Sequence, residues 1–503
     1  MSERIAREKL ESYLWDSALL LRDHMDAGSY KQYIFPLLFF KRLSDVYEED
    51  AAKAARESEP EAAARKEIPR LSLPDDAHWD SIRNVPQDVG KAIQTAFQAV
   101  EKANPKMLRG IFGDGTWANK RRLPDRLLKD LIEHFSTLTL SVDNCPEDDL
   151  GRAFDYLIKK IAESSGHTAQ EFYTNRTVAQ LMVQLLKPQP GESVYDPTCG
   201  SGGMLISAAA YLKEQGVDRP GAGLYGQEIN ALTSAIGRMN LLLHGIKDFR
   251  IANKDTLARP AFTVRGKLRL FDVVLANPPY SISQWDRAAF KTDKYGRNFL
   301  GLPPQGRADY AFFQHILKSM KPGSGRCAIL FPHGVLFRKE EKEMRKALVR
   351  SDLLECVIGL GANLFYSSPM EACIVICRAR KPDSRKGCVL FINAVNEVAR
   401  KNAESFLEPA HIETIVRAYE AYETDGHIAR KASIGEIQDN GFVLSIPLYV
   451  KGPAADTAAP LFPQEGFARW CAASAAAEEC CLTLNEMIGD EGYAQRPTGG
   501  CGD

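Results

Sequence analysis

Apolar residues recur at three- and four-residue spacing through the first third of the chain. LESYLWDSALLLRDHM, residues 10–25, shows this spacing, and YIFPLLFFKRLSDVYEED, residues 33–50, follows with a denser apolar stripe. Two more runs of this kind cover residues 126–138 and 148–165. Because this spacing places apolar side chains on one face of a helix, it predicts an α-helical N-terminal domain over residues 1–165.

The pattern changes at about residue 166. Short apolar runs such as ESVYDP, GLYGQEI, FDVVLANPP and GRCAILFPHGVL now alternate with helical stretches. Strands that alternate with helices predict an α/β domain over residues 166–400, with a mostly parallel, Rossmann-like sheet covered on both faces. The late runs LLECVIGLG, EACIVICRA and GCVLFINAV lie close together, which predicts antiparallel strands at one edge of the sheet.

The pattern becomes helical again after about residue 401. HIETIVRAYEAYE and FARWCAASAAAEECCLTLNEMIG have helical spacing, and the Pro, Gly and Ala-rich segment 451–466 between them is typical of a linker. We therefore expect a helical C-terminal region over residues 401–503 that ends in a loose tail.

Composition narrows the class of protein. The 503 residues carry a formal net charge of -1, so the chain as a whole is not a strongly basic DNA-coating protein. Its 11 cysteines lack zinc-ligand spacing, which predicts reduced thiols and no metal site. No apolar run approaches membrane-spanning length and the charged amino terminus lacks a signal-peptide pattern, so we expect a soluble, cytoplasmic protein without membrane contact.

The first candidate for chemistry is VYDPTCGSGGMLI, residues 194–206. A predicted strand ends at Asp196, and the run from Gly200 to Gly203 opens a helix. Glycines allow close approach of a ligand to the backbone, and a helix amino end presents unpaired donors. A flexible loop has the same composition, but the position between a strand and an apolar helix favours a ligand site.

Acidic residues follow the next two predicted strands. Glu228 can accept hydrogen bonds from both hydroxyls of a ribose, and Asp255 can accept from an adenine amino group. A surface glutamate and a plain turn aspartate remain alternatives at these positions.

A distinctive feature is Asn277-Pro278-Pro279-Tyr280, directly after the strand-like residues 271–276. Two prolines remove two backbone donors and hold the chain in a stiff extended turn. A turn without a ligand would explain them as well. The position of Asn277 and Tyr280 favours a ligand, because open α/β sheets bind ligands at the carboxyl ends of their strands.

Asp-Pro-Xaa-Cys-Gly-Ser-Gly-Gly followed by Asn-Pro-Pro-Tyr resembles the S-adenosylmethionine-dependent amino-methyltransferases. More narrowly, the chain resembles the methylation (M) subunit of type I restriction–modification systems. The amino-terminal helical runs, EFYTNRTVAQLM at 171–182, GLGANLFYSSPMEACIVICRARK at 359–381 and the final helices share this resemblance, which covers most of the chain.

The resemblance implies S-adenosylmethionine as cofactor. The cofactor-binding positions that it implies are Phe172, Tyr173, Thr174, Asp196, Thr198, Gly200, Ser201, Gly202, Gly203, Glu228 and Asp255. Among these, Asp196 and the glycines would hold the amino-acid part of the cofactor, and Phe172 to Thr174 would line its methionine end. The chain departs from the family pattern at Asn175, where proline is usual, and at Gln170, where glycine is usual.

The resemblance also implies catalysis by Asn277, Pro278, Pro279 and Tyr280. The Asn277 side-chain oxygen and the Pro278 carbonyl would each accept one hydrogen of the adenine N6 amino group, while Tyr280 stacks on the extruded base. An in-line methyl transfer arranged in this way requires alignment and electrostatics, and no metal.

The implied partners are double-stranded DNA, a specificity (S) subunit shared by two M subunits, and a restriction and translocation (R) subunit. The C-terminal region would bind a partner. Alternatives are methylation of a protein glutamine or an RNA base, and a non-catalytic assembly module of the same fold. After the catalytic turn, Trp285 and Phe299 are candidates for the base pocket. The cations Lys291, Lys294, Arg297 and Arg307 would either meet phosphates or form a solvated loop.

Overall fold

A computed structural model describes residues 4–55, 71–164, 174–217, 223–364, 371–401 and 404–450. The chain divides into two compact units, Met1–Val450 and Lys451–Asp503, and every described residue belongs to the first. Within the described residues, no helix is long and apolar enough to cross a membrane.

The amino-terminal region is helical. Its helices are α1 (Arg7–Leu19), α2 (Ala27–Ala54), α3 (Trp79–Arg83), α4 (Val89–Ala103), α5 (Asp125–Ser136) and α6 (Glu147–Ser164). Helix α2 lies at the centre, since every residue from Tyr33 to Arg42 is buried. Aromatic rings pack against one another in this core, with Phe97 stacked on Phe112 at a centroid distance of 4.0 Å. No strand occurs in described residues 4–55 or 71–164, which confirms the helical pattern there.

The second part is a nine-stranded sheet with flanking helices. The strands of the chain are β1 (Val194–Asp196), β2 (Leu224–Glu228), β3 (Phe249–Asn253), β4 (Thr263–Val264), β5 (Lys267–Leu268), β6 (Val273–Ala276), β7 (Arg326–Pro332), β8 (Leu354–Leu360), β9 (Ala372–Arg378), β10 (Cys388–Ala394), β11 (Ala399–Lys401), β12 (Glu404–Phe406) and β13 (Ala429–Ser433). The spatial order of the large sheet is β13-β10-β8-β9-β7-β6-β1-β2-β3. Strands β4 and β5 form a separate hairpin, as do β11 and β12.

Most strand pairs in the large sheet are parallel, as predicted. Edge strand β13 is antiparallel to β10, and β9 is antiparallel to both of its neighbours. Strand β9 therefore lies inside the sheet, between β7 and β8. The sequence pattern identified β8, β9 and β10, but the expectation that they form antiparallel strands at one edge is wrong, because β8 and β10 pair in parallel and β9 lies inside the sheet. The pattern does not specify this insertion, since each of the three strands is apolar on both faces.

Helices cover both faces of the sheet. The remaining helices are α7 (Arg176–Leu186), α8 (Gly203–Glu214), α9 (Ala231–Leu243), α10 (Arg287–Lys291), α11 (Asp309–Ser319), α12 (Lys342–Arg350), α13 (Pro409–Ala421), α14 (Ile434–Asp439) and α15 (Ile446–Tyr449). Alternate residues of β6 enter opposite layers: Val273 and Leu275 pack with α7 and α8, whereas Val274 and Ala276 pack with α11. This alternation follows from the two-residue repeat of a strand.

The expectation of a helical region after residue 401 is wrong for residues 404–406, which form β12, and for residues 429–433. The second segment, ARKAS, has a weak strand pattern, yet it forms β13 and pairs with β10 along five residues. Tertiary pairing decides its structure, since β10 would otherwise be an unpaired edge. The predicted helix at 411–423 is present as α13, and residues 451–503 lie outside the described residues.

Candidate active site

Three side chains from the sequence motifs meet at one edge of the sheet. Asp196 ends β1, Glu228 ends β2, and Asn277 directly follows β6. Strand β1 lies between β2 and β6 and is parallel to both. Because the carboxyl ends of adjacent parallel strands point the same way, these residues lie side by side at the edge where such sheets bind ligands.

The glycine-rich turn after β1 is closely packed against helix α9. Gly200 and Gly202 have φ angles of 52° and 82°, which glycine adopts without strain. A Cβ atom on Gly237 would lie 2.7 Å from the Gly200 carbonyl oxygen, so glycine is needed on the helix side as well. The backbone nitrogen of Gly202 donates to the Cys199 carbonyl over 2.7 Å, which tightens the turn.

Two carboxylates lie on either side of this turn. The Glu228 carboxylate accepts from the backbone nitrogens of Gly200 (3.2 Å) and Asn230 (2.8 Å). Asp196 is 2% exposed and accepts from the backbone nitrogen of Thr198 over 3.0 Å. Burial, together with the negative charge of Glu228, raises the pKa of Asp196 to about 8, although the Thr198 hydrogen bond opposes this shift. The edge is therefore suited to a positively charged ligand.

A polar network connects the amino-terminal helices to the glycine turn. Asp155 on α6 accepts from Asn240 Nδ2 (3.0 Å), from His244 Nε2 (3.1 Å) and from Arg176. Asn240 Nδ2 also donates to the Ser201 carbonyl over 2.9 Å, and Arg176 Nη1 donates to the Gly203 carbonyl over 3.0 Å.

The network is buried and charged. Burial raises the pKa of Asp155, but the Arg176 charge and the hydrogen bonds from His244 and Asn240 outweigh it and lower the pKa to about 2. Gly151 gives the imidazole room, since a Cβ there would lie 2.5 Å from the His244 ring. Sequence reasoning missed these residues. The available signal was Asp155, Asn240 and His244 interrupting otherwise apolar stretches of α6 and α9.

Asn277 is held by a hydroxyl group from a distant segment. Its Nδ2 donates to Thr174 Oγ1 over 3.1 Å, and none of the described residues donates to its Oδ1. Hydrogen bonding of Nδ2 fixes the plane of the carboxamide and leaves the oxygen as the available acceptor. Of the predicted methionine-end residues, Thr174 is thus beside the Asn-Pro-Pro-Tyr motif, while Phe172 and Tyr173 lie outside the described residues.

The turn that follows the Asn-Pro-Pro-Tyr motif is held by the buried Asp309. Ser281 adopts φ 52°, and its backbone nitrogen donates to Asp309 Oδ1 over 2.9 Å. Asp309 is fully buried, and its other oxygen accepts from Arg338 Nη1 over 2.8 Å. Burial raises the pKa of the Tyr280 phenol well above its ordinary value, so this group stays neutral. Asp309 and Arg338 therefore hold the turn that carries Tyr280.

Asp255 lies in a turn that the buried side chain of Arg297 holds in place. Its Oδ1 accepts from the backbone nitrogens of Leu257 and Ala258, at 2.8 and 3.0 Å. Arg297 donates to the carbonyls of Thr256 (3.0 Å) and Leu257 (2.7 Å) and forms an ion pair with Asp293 at 2.7 Å. Arg297 is 2% exposed, so the suggestion that it meets phosphates is wrong for this residue.

Other residues considered from the sequence have local roles. Trp285 Nε1 donates to the Gln305 carbonyl over 2.9 Å, and its ring, together with Asp255, lines a pocket of 240 Å³. Phe299 is 41% exposed beneath Lys318.

Comparison with known proteins places this site in a family. The profile of the N-6 DNA methylase family matches residues 146–457, and that of the HsdM N-terminal domain matches residues 10–135. The methylase subunit of the type I restriction enzyme MjaIX from Methanocaldococcus jannaschii is 30% identical over 489 residues, covering 90% of this chain and 86% of that protein. The chain belongs to the type I restriction enzyme methylase subunits.

Further members of the family agree in sequence and structure. The HindI methylase subunit of Haemophilus influenzae is 29% identical over 407 residues, covering 75% of this chain and 89% of that protein. The crystal structure of the methyltransferase subunit of a type I restriction–modification system from Streptococcus thermophilus superposes with a TM-score of 0.77. That subunit is 30% identical to this chain, and the match covers 89% of this chain and all of the subunit.

The residues present fit the family's cofactor, S-adenosylmethionine. This molecule carries an ammonium and a sulfonium group, and the strand edge offers two carboxylates beside a glycine turn. The departure at Asn175 is accommodated, because this residue is the N-cap of α7. Its Oδ1 accepts from the Thr177 backbone nitrogen over 3.0 Å, and its Nδ2 donates to the Ser405 carbonyl over 3.1 Å. A proline could form neither bond.

We expect cofactor affinity to depend on pH through Asp196. In the free protein its pKa is about 8, so below that pH a proton must leave before the carboxylate can pair with a bound cation. Affinity should therefore increase between about pH 6 and 8, by up to tenfold per pH unit, and level off above. Titration calorimetry in two buffers of different ionisation enthalpy measures the released proton. Asp196→Asn should abolish the release, and pH-independent wild-type affinity would contradict the assignment.

Proposed function

We propose that this chain is the modification subunit of a type I restriction–modification system and transfers a methyl group from S-adenosylmethionine to N6 of adenine in DNA. The observation that carries the proposal is the placement of Asn277. Its carboxamide is fixed by Thr174 at the end of β6, next to the carboxylate-flanked glycine turn at the ends of β1 and β2. Family membership and this geometry support the same reaction.

The proposed roles of the protein groups follow from their chemistry. S-adenosylmethionine supplies an electrophilic methyl group on a sulfonium. Asn277 Oδ1 and the Pro278 carbonyl accept hydrogen bonds from the two hydrogens of the adenine amino group. These bonds return electron density to the amino nitrogen, whose lone pair is otherwise delocalised into the ring. Pro279 stiffens the turn, and Tyr280 offers a surface for the extruded base, which recovers part of the unstacking energy of a few kcal/mol.

The proposed cofactor contacts use the remaining residues of the site. Asp196 and the glycine turn hold the amino-acid part, Glu228 holds the ribose and Asp255 the adenine, with Thr198 and Ser201 in the same turn. Both oxygens of Glu228 and the Oδ1 of Asp255 already accept backbone hydrogen bonds, which fixes the two carboxylate planes before a ligand binds. This preorganisation lowers the entropic cost of binding.

The proposal includes partners. The relatives are methylase subunits of restriction enzymes, and we propose that this chain likewise acts on double-stranded DNA with a specificity subunit, two M to one S, and joins a restriction subunit for cleavage. A chain with a net charge of -1 depends on such a partner for selective DNA binding. Because the substrate is cellular DNA of a bacterium or archaeon, the proposed location is the cytoplasm.

Transfer of a labelled methyl group tests the proposal. The full chain, with and without its specificity subunit, is incubated with S-adenosylmethionine labelled at the methyl group and with duplex DNA. We expect label at N6 of adenine only when both subunits are present. Label in protein glutamine or in RNA would instead support a related amino-methyltransferase, and no label in any substrate would support a non-catalytic assembly module.

A further inference from the structure

We propose that the edge of the sheet at β3, together with the β4–β5 hairpin, binds the phosphate backbone of duplex DNA. This inference rests on the proposed function, since it assigns a second contact surface for the same DNA. The surface, called the β3 patch below, is defined by six basic residues: Arg250, Lys254, Arg259, Arg265, Lys267 and Arg269.

The β3 patch is strongly cationic in a chain that is nearly neutral. Residues 249–270 contain these six basic side chains and a single acidic one, Asp255, whereas the whole chain has a net charge of -1. None of the six basic side chains forms an ion pair with any described residue, although basic residues elsewhere do so often. Asp255 binds the backbone nitrogens of its own turn. The positive charge of the patch is therefore left uncompensated.

The basic residues belong to one surface. Strand β3 is the last strand of the sheet, and Arg250 pairs in register with Tyr225 of β2. The guanidinium groups of Arg250 and Arg269 lie 5.7 and 4.3 Å from the centre of the Tyr225 ring. Lys254 is exposed and directly follows the last residue of β3, Asn253.

The loop that carries the patch is built on a buried glutamine. Gln227, which is fully buried, donates through Nε2 to the carbonyls of Lys254 (3.0 Å) and Arg259 (3.2 Å). Its Oε1 accepts from the backbone nitrogen of Ala261 over 2.9 Å. Phe262 packs its ring edge-on against Tyr225 at 5.2 Å, which attaches the following hairpin to the sheet. The charges are thus displayed on a defined backbone.

The position of the patch favours DNA as its ligand. Lys254 precedes Asp255 at the carboxyl ends of the strands, so the patch begins at the edge that holds the active site and continues to the exposed Arg265 and Lys267 of the hairpin. Basic residues on an edge strand can also serve to prevent pairing between the edges of two sheets. That role would explain only Arg250, because the other five basic residues lie outside β3. Cations without acidic partners match the regular negative charge of a duplex, and contacts of this kind carry no sequence preference.

Salt dependence of DNA binding tests the inference. The full chain and the triple variant Arg259→Gln, Arg265→Gln, Lys267→Gln are titrated onto a fluorescent duplex of arbitrary sequence at several salt concentrations. Each phosphate contact contributes about 0.9 to the slope of log K against log salt. We expect the slope to decrease by about 2 to 3 in the variant and affinity at low salt to fall at least tenfold, with unchanged thermal stability and cofactor binding.

A matched variant controls for net charge. Lys187→Gln, Lys213→Gln, Lys386→Gln removes three charges from residues that form ion pairs away from the patch, with Glu420, Asp148 and Asp383. This control should retain the wild-type slope. An unchanged slope in the β3 variant, or an equal decrease in both variants, would overturn the inference, as would intact DNA binding with lost association of the specificity subunit. Failure of the wild type to methylate DNA in the presence of the specificity subunit would instead refute the proposed function.

Discussion

Asn277→Ala is expected to reduce methyl transfer to DNA by roughly 10²- to 10³-fold, the range observed when one preorganised polar contact to a transition state is removed. Cofactor affinity should change little, because the contacts to Asp196, the glycine turn and Glu228 remain. Among the described residues the carboxamide forms one side-chain hydrogen bond, to Thr174, so its removal disturbs little of the fold. Single-turnover rates with saturating cofactor and cofactor affinity by calorimetry measure the two quantities separately.

Three further variants separate catalysis from folding. Thr174→Val leaves Asn277 in place but removes its hydrogen-bond partner, and we expect about a tenfold lower rate, with recovery in Thr174→Ser. Asn440→Ala removes an amide at the end of α14, outside the site, and should leave the rate unchanged. If Asn277→Ala lost cofactor binding and transfer to the same extent, the motif would be a structural turn and not a catalytic one.

Asp155→Ala is expected to cause the largest loss of stability among the substitutions considered. It leaves the Arg176 charge and the polar groups of His244 and Asn240 without their shared acceptor, and breaking such a pair costs about 3–5 kcal/mol. Cofactor affinity should also fall, because Asn240 and Arg176 hold the carbonyls of the glycine turn. Denaturant unfolding and calorimetric titration check the two effects.

A surface aspartate on the same helix provides the comparison. Asp149 pairs with Arg4, whose side chain is 67% exposed, and Asp149→Asn should change stability by less than about 1 kcal/mol. The pH profile gives a second criterion. Because the folded-state pKa of Asp155 is lowered, its contribution is present above about pH 4 and is lost as the pH falls towards 2. Wild-type cofactor affinity in Asp155→Ala would show that the network is not needed to position the turn.

The sequence predicted well those parts of the site that local chemistry specifies. A strand followed by Asp196 and glycines, and another followed by Asn277 and two prolines, identify the ligand edge because parallel strands end together. The helical amino-terminal region was equally clear, since residues 126–138 and 148–165 repeat their apolar positions with the period of a helix.

The contacts that support the site were not predictable in this way. Asp155 and Asn240 are 85 residues apart in the chain, and the helical pattern alone treats each of these polar residues as solvent-facing. Arg297 shows the opposite error. As a basic loop residue it suggested phosphate binding, but its side chain is buried and paired with Asp293. Strand β13 was missed because ARKAS has little strand propensity and depends on β10 for its conformation.

Helix α9 belongs to two hydrophobic cores at once. Ile236, Met239 and Leu243 pack among the amino-terminal helices, whereas Leu241 packs with the helices and strands of the sheet. Cleaving the chain between these parts would therefore strip one side of α9 and expose apolar surface on whichever fragment retained it. We therefore expect the helical region and the sheet to unfold together in one cooperative transition.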